Sequence, residues 1–331
     1  MAADPVAGSA TILGGIAGPT LTPDEAAFFR EADPWGFILF GRNVDSPDQL
    51  RRLTGDLRAA VGRDAVITVD QEGGRVQRLR APHWIDWPAP LDQAVAGPRA
   101  MWLRYHLIGQ ELRAVGIDSD CAPTLDVAQD ATHPFLRNRC LGSDPARVAL
   151  LGRAAADGLL AAGVLPVVKH MPGHGRALAD SHHDLPVVDA ALEDLDAMDF
   201  APFRALNDLP MGMTAHIRFT ALDDAPATAS VRMIGLIRDR IGFDGLLMTD
   251  DITMNALSGT QAERAAASIA AGCDLVLHCN GTVAEMGPVV QAAGPLTPDA
   301  ARRAEAALAR RLSPADADLA ALRAEWQTLV A

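Results

Sequence analysis

Eight short apolar or β-branched runs, separated by longer amphipathic stretches rich in alanine and leucine, predict an α/β chain folded as a (β/α)8 barrel of the TIM type. Eight such units fit the size of the chain, because a barrel of this kind takes ~250 residues before insertions. A doubly wound open sheet is the competing architecture, and it loses support because no GxGxxG follows the first run. Polar residues close most of the runs, as expected where strand ends converge on one mouth.

The expected strands, in order, are ATILGGIAG (10–18), GFILFG (36–41), AVITVD (65–70), SDCAPTLD (119–126), VLPVVKH (164–170), MGMTAH (211–216), DGLLMTDD (244–251) and CDLVLHCN (273–280). Helical patterns follow the second, third and fourth strands, at 46–62, 101–116 and 144–163. Three more, around 197–208, 230–242 and 260–272, each precede a strand, and 283–294 follows the last one. The tail from Thr297 to Ala331 reads as one or two surface helices. No linker or low-complexity segment interrupts the 331 residues, so one domain over 1–331 is expected.

Composition narrows the function. A net charge of −13 and the absence of any Lys/Arg-rich run argue against nucleic acid, whose phosphates demand clustered positive charge. The first basic residue is Arg30, and no apolar stretch is long enough to span a membrane, so a soluble cytoplasmic protein is expected, with neither signal peptide nor membrane partner. Cys121, Cys140, Cys273 and Cys279 form no CxxC pair and no zinc-ribbon spacing, which predicts reduced, mostly buried thiols.

Against 28 arginines stands one lysine, Lys169, inside VVKHMPGHGRALADSHHD, which also holds four of the nine histidines. Where any cation would serve, this chain uses arginine; a compact, rotatable ammonium here points to a specific demand, the alternative being a solvated loop. Other strand ends agree. The third strand runs into Asp70-Gln71-Glu72-Gly73-Gly74-Arg75, the fourth ends in Asp126, the sixth in His216 and the seventh in Asp250-Asp251. Charged groups after buried strands are costly unless paired or placed in a polar cavity, and five strands sharing the habit predict an enzyme mouth. Gly173 and Gly175 are expected to permit a tight turn after the fifth strand.

VDQEGGRVQRL, RNRCLGSDP, KHMPGHGRALADSHHDLP and LLMTDD, in this order, resemble the family 3 glycoside hydrolases, within them the single-domain bacterial β-N-acetylglucosaminidases that recycle peptidoglycan. The resemblance extends from GFILFGRN to AAGCDLVLHCNG. It implies a retaining exo-enzyme, acting as a cytoplasmic monomer without cofactor or metal. The implied substrate is GlcNAc linked β-1,4 to 1,6-anhydro-N-acetylmuramic acid, with or without peptide. By the same resemblance Asp250 is the nucleophile, His182 the general acid/base on a catalytic loop after the fifth strand, and Asp180 the group that orients and polarises it. Asp70, Arg78, Arg139, Lys169 and His170 are implied to hold the sugar, with Arg75 or Arg78 as ion-pair alternatives for Asp70. His183 rivals His182, and Asp251 rivals Asp250, although successive strand side chains point to opposite faces. His174 and His216 are expected to support the loop and strand ends, and Cys140-Leu141 departs from the small residue and aromatic more usual in the family.

Four other readings stay open on the residues. His170, His174, His182, His183, Asp180 and Asp184 are ligand types for zinc, without an HExxH or a short HxH pair. Phosphorolysis could replace hydrolysis, and another family 3 β-glycosidase activity or a sugar-binding barrel without catalysis completes the set.

Overall fold

The structure, a computed structural model, describes residues 7–179, 181, 184–314 and 317–331. Its centre is a closed barrel of eight parallel strands: β1 (Ser9–Leu13), β2 (Pro34–Leu39), β3 (Val66–Val69), β4 (Ser119–Asp120), β5 (Leu165–Met171), β6 (Met211–Thr214), β7 (Leu246–Asp251) and β8 (Leu275–His278). Each strand pairs with its neighbours in sequence, and β1 closes the ring on β8, with Thr11 opposite Val276. All eight expected runs therefore contribute a strand. The fourth is the shortest, because Pro123 has no N–H to offer a ladder; beyond it only Thr124 bridges to Lys169.

Helices pack outside. They are α1 (Pro23–Ala32), α2 (Pro47–Val61), α3 (Gly97–Arg113), α4 (Pro145–Ala161), α5 (Ala201–Ala205), α6 (Val231–Leu236), α7 (Gln261–Ala271) and α8 (Val283–Ala293). The α2 helix shows how the sequence sets them. The Ser46 side chain accepts from Gln49 N, Pro47 opens the first turn, Gly62 ends the helix at positive φ, and Leu50, Leu53 and Leu57 form the buried face. The α1 helix has no counterpart among the expected helical stretches; a Thr22–Glu25 capping box starts it and Phe29 anchors it in the core.

One buried cluster takes a side chain from or beside every strand: Ile12, Ile38, Val66, Cys121, Val167, Met213, Met248 and Leu277. These fill the barrel, as layered side chains do in this fold. Ala304 and Ala307 join them from α9 (Pro298–Ala309), whose Arg303 bonds Asp274 at 2.9 Å; Arg311, just past its end, bonds Asp118 at 2.6 Å. The last helix, α10 (Leu319–Val330), sets Trp326 edge-on to Trp87, 4.9 Å between ring centroids. Thus the tail is the two helices its composition suggests. All four cysteines are buried and free. Among the described residues no helix is long and apolar enough to cross a membrane.

Candidate active site

The C-terminal strand ends surround a cavity of about 310 Å³, near the lower end of the range for small-molecule sites and suited to a single sugar ring. Six of the expected site residues line it: Asp70, Arg78, Arg139, Lys169, His170 and Asp250. Asp180 and His182, and the rival His183, lie outside the described residues. Apolar patches from Phe40, Met213, Met254 and Leu277 complete the wall.

Lys169 is 1% exposed, on β5, which sets aside a solvated loop. Its Nζ lies 3.0 Å from Asp70 Oδ1 and 2.6 Å from Glu72 Oε1. Two carboxylates converging on one atom suit an ammonium with three rotatable donors better than a planar guanidinium. Arg78 holds the other oxygen of Asp70 at 3.0 Å, while Arg139 grips Glu72 through two bonds of 2.9 and 2.7 Å. Burial alone would raise the Asp70 carboxyl, but Lys169 and Arg78 more than offset it and hold the group far below its ordinary value. Burial would likewise lower Lys169, yet Glu72 and Asp70 raise it, so the ammonium stays charged. The cluster is a set of fixed, ionised donors and acceptors, the kind that grips hydroxyls through charge-assisted bonds.

A second relay fixes His170. Asp126, fully buried just past β4, accepts from His170 Nδ1 at 2.7 Å and from the His174 backbone N–H at 2.6 Å. His170 Nε2 lies 3.3 Å from Arg139 Nη2. The turn that carries His174 needs its glycines. A Cβ at Gly175 would sit 2.0 Å from the Val127 carbonyl oxygen, and Gly173 has φ 139° against Asp199. Burial pushes the His174 imidazole down to about 4, and among the described residues neither of its ring nitrogens has a hydrogen-bond partner.

Asp250 and Asp251 separate cleanly. Asp251 Oδ1 accepts from Thr253 N at 3.0 Å and Cys279 N at 3.1 Å, and Oδ2 from the Thr253 hydroxyl at 2.6 Å, so its carboxylate ties β7 to β8. Among the described residues the Asp250 carboxylate accepts one hydrogen bond, from Asp251 N at 2.8 Å. Burial would raise Asp250, but the fields of His170 and His216, with the Asp251 N–H and Lys169, hold it below its ordinary value. His216, also buried, donates from Nε2 to the Asp251 carbonyl at 3.0 Å, and its Nδ1 lies 2.8 Å from the Thr228 hydroxyl. It supports the strand end, as the sequence suggests.

Two features escape a reading of motifs. Glu72 sits inside VDQEGGRVQRL without an expected role of its own; the structure makes it the anchor of both Lys169 and Arg139. Its signal is position, two residues past a strand-end aspartate. The Phe40 ring has two guanidinium groups over it, Arg42 at 4.7 Å and Arg78 at 5.5 Å from its centroid, and Arg42 bonds the Ile16 and Cys279 carbonyls across the β1 and β8 ends.

The comparisons with known proteins agree with this geometry. A model described as the glycosyl hydrolase family 3 N terminal domain matches residues 25–310. The β-hexosaminidase of Bordetella avium is 39% identical over 277 residues, 80% of this chain and 79% of that protein. That of Methylococcus capsulatus is 37% identical over 329 residues, 95% and 96% of the two chains. The crystal structure of NagZ from Neisseria gonorrhoeae in complex with N-trifluoroacetyl-D-glucosamine superposes with a TM-score of 0.86 at 30% identity, over 99% of this chain and 100% of that one. With a closed parallel barrel, a polar mouth of one-sugar size and these likenesses over nearly its whole length, the chain belongs to glycosyl hydrolase family 3 and is a glycoside hydrolase.

Proposed function

We propose that this glycoside hydrolase is a retaining exo-β-N-acetylglucosaminidase. It removes the non-reducing GlcNAc from GlcNAc-β-1,4-1,6-anhydro-N-acetylmuramic acid, with or without peptide, in cytoplasmic peptidoglycan recycling. The carrying observation is the contrast among the carboxylates at the mouth. Asp70, Glu72, Asp126 and Asp251 are each committed to cations, imidazole or several donors, whereas Asp250 keeps a depressed pKa with, among the described residues, a single backbone bond. An ionised, lightly engaged carboxylate on a rigid strand suits a nucleophile.

In the first step a carboxylate oxygen of Asp250 bonds to the anomeric carbon as the glycosidic C–O bond breaks, and His182 gives its proton to the leaving oxygen. In the second, His182 takes a proton from water, whose oxygen displaces Asp250 and regenerates the carboxylate. Asp180 orients the imidazole. Asp70, Arg78, Arg139, Lys169 and His170 hold the sugar hydroxyls and the acetamide-bearing ring in place. We further read residues 1–331 as one catalytic domain, supported by the packing of α9 and α10 onto the barrel, and the protein as a monomer.

The test is the rate on an aryl N-acetyl-β-glucosaminide against the matching β-glucoside, followed by product analysis in phosphate buffer. A strong preference for the N-acetyl sugar with free GlcNAc as product is expected. Equal rates would reject the specificity, and GlcNAc-1-phosphate would replace hydrolysis by phosphorolysis.

A further inference from the structure

Behind the sugar-binding cluster lies a carboxyl group that the mechanism does not use. Asp120 ends β4 and is wholly buried. Oδ1 accepts one bond, from Gln71 N at 2.9 Å, and among the described residues Oδ2 has no partner. Charged and titratable groups face it from every neighbouring element: Asp70 and Glu72 past β3, Lys169 on β5, Arg104 and Tyr105 on α3, and Cys121 beside it.

Neither nearby cation bonds it. Lys169 is held by Asp70 and Glu72, while Arg104 donates to the Glu72 and Pro88 carbonyls, each at 2.6 Å, and to Gln93. A buried carboxylate with one N–H bond is poorly stabilised, whereas a neutral carboxyl of the same shape is tolerated. Burial, with Asp70 and Glu72 adding to it against Gln71 N–H and Lys169, pushes the group up to about 8.

We propose that Asp120 is a positioning residue: neutral, it leaves the Lys169 ammonium to Asp70 and Glu72; ionised, it draws that ammonium away from the sugar and sets an alkaline limit on substrate binding. The inference rests on reading Lys169 and Asp70 as sugar ligands. A proton lost to solvent from Asp120 adds a negative charge that acts on the Lys169 ammonium already shared by Asp70 and Glu72, and that pull competes with the sugar for its remaining donor. The effect falls on binding, because Lys169 is read as holding the sugar and takes no part in the proposed bond changes.

The experiment measures KM and kcat from about pH 6.5 to about 9.5 for the parent and Asp120→Asn, whose amide has the shape of the neutral carboxyl. The probe is an aryl N-acetyl-β-glucosaminide, or the aryl β-glucoside if that is cleaved faster. For the parent, KM is expected to be flat at neutral pH and to rise ~10-fold per pH unit once Asp120 ionises. In Asp120→Asn, KM stays flat, while kcat changes with pH alike in both proteins. A flat parent KM, or an equal rise in both, overturns the proposal. Infrared difference spectra of parent against variant read the group itself: the carbonyl band of a protonated acid should be present at neutral pH and lost by about pH 9.5. Its absence at neutral pH overturns the proposal regardless of sugar chemistry. Its presence alongside a flat KM places the failure in the assignment of Lys169 and Asp70 as ligands.

Discussion

Glu72 and Arg139 form a buried two-pronged ion pair, Nε to Oε2 at 2.9 Å and Nη2 to Oε1 at 2.7 Å, with Lys169 Nζ 2.6 Å from the same Oε1. One carboxylate thus positions two of the cations proposed to hold the sugar. Glu72→Gln leaves Lys169 and Arg139 with Asp70 as the remaining carboxylate of the cluster. Breaking a buried pair in this way costs about 3–5 kcal/mol of stability. We expect a lower melting temperature and a KM raised at least ~10-fold, the loss of roughly one charge-assisted bond to substrate, with Glu72→Asp intermediate. Unchanged melting and KM would show that the pair does not position the site.

Asp251 and Asp250 should separate by what each loses. Asp251→Asn places an amide donor among three donors, Thr253 N, Thr253 Oγ1 and Cys279 N. Stability should fall by about 1–3 kcal/mol while much of kcat survives. Asp250→Asn should abolish turnover with melting close to the parent's. Calorimetry and turnover on the same preparations check both, and the reverse pattern would exchange the two roles.

Acid and base limits of stability follow from the direction in which each group is displaced. Asp70 and Glu72 are held below their ordinary values, so their contribution is complete above the unfolded carboxylate value near 4 and is lost as pH falls through their folded values. Lys169 is raised, so its contribution is complete below its unfolded value near 10 and is lost above the folded one. Asp120 has the opposite sign to the other carboxyls: raised to about 8, it makes the native state bind an extra proton, and stability falls from pH near 4 up to that value. Asp120→Asn should therefore melt above the parent at neutral pH and level with it near pH 4. The gap at neutral pH should reach a few kcal/mol, since each pH unit over which only the native state holds the proton contributes ~1.4 kcal/mol. An equal difference at both pH values would contradict the assignment.

For the proposed acid/base, the expected signature is dependence on the leaving group. His182→Ala should slow cleavage of the disaccharide by roughly 10²–10⁴ and affect an activated aryl substrate less in the first step, with the intermediate then accumulating. Asp180→Asn should act in the same direction with a penalty that varies more with pH, and His183→Ala should be nearly silent. A large leaving-group-dependent loss in His183→Ala would move the role to that residue.

The barrel is legible because apolar runs recur eight times between helical stretches, five of them closing on charged or histidine residues, a pattern that local chemistry writes directly into sequence. The brevity of β4 is not, since Pro123 removes a ladder donor within an otherwise strand-like run. The α1 helix escapes a search for periodicity because it spans 10 residues and its helical character rests on the cap at Thr22 more than on a long apolar stripe. At the site, Asp70, Lys169 and Asp250 announce themselves by position at strand ends. Glu72 does not, because its importance lies in a pairing across 67 residues of sequence, and Asp126, visible at a strand end, gives no sign of its partner His170, 44 residues on; both pairings are set by the order of strands around the barrel. Asp120 is invisible for the opposite reason: what distinguishes it is the lack, among the described residues, of a partner for Oδ2.

Attack of Asp250 on the anomeric carbon is the central claim. The most direct measurement incubates the enzyme with a slow 5-fluoro glycoside of GlcNAc carrying a good leaving group, then digests it and locates the added sugar by mass spectrometry. The expected result is a glycosyl ester on Asp250, with the β anomer formed first from an ordinary substrate. A label on any other residue, or an α product at early times, would contradict it.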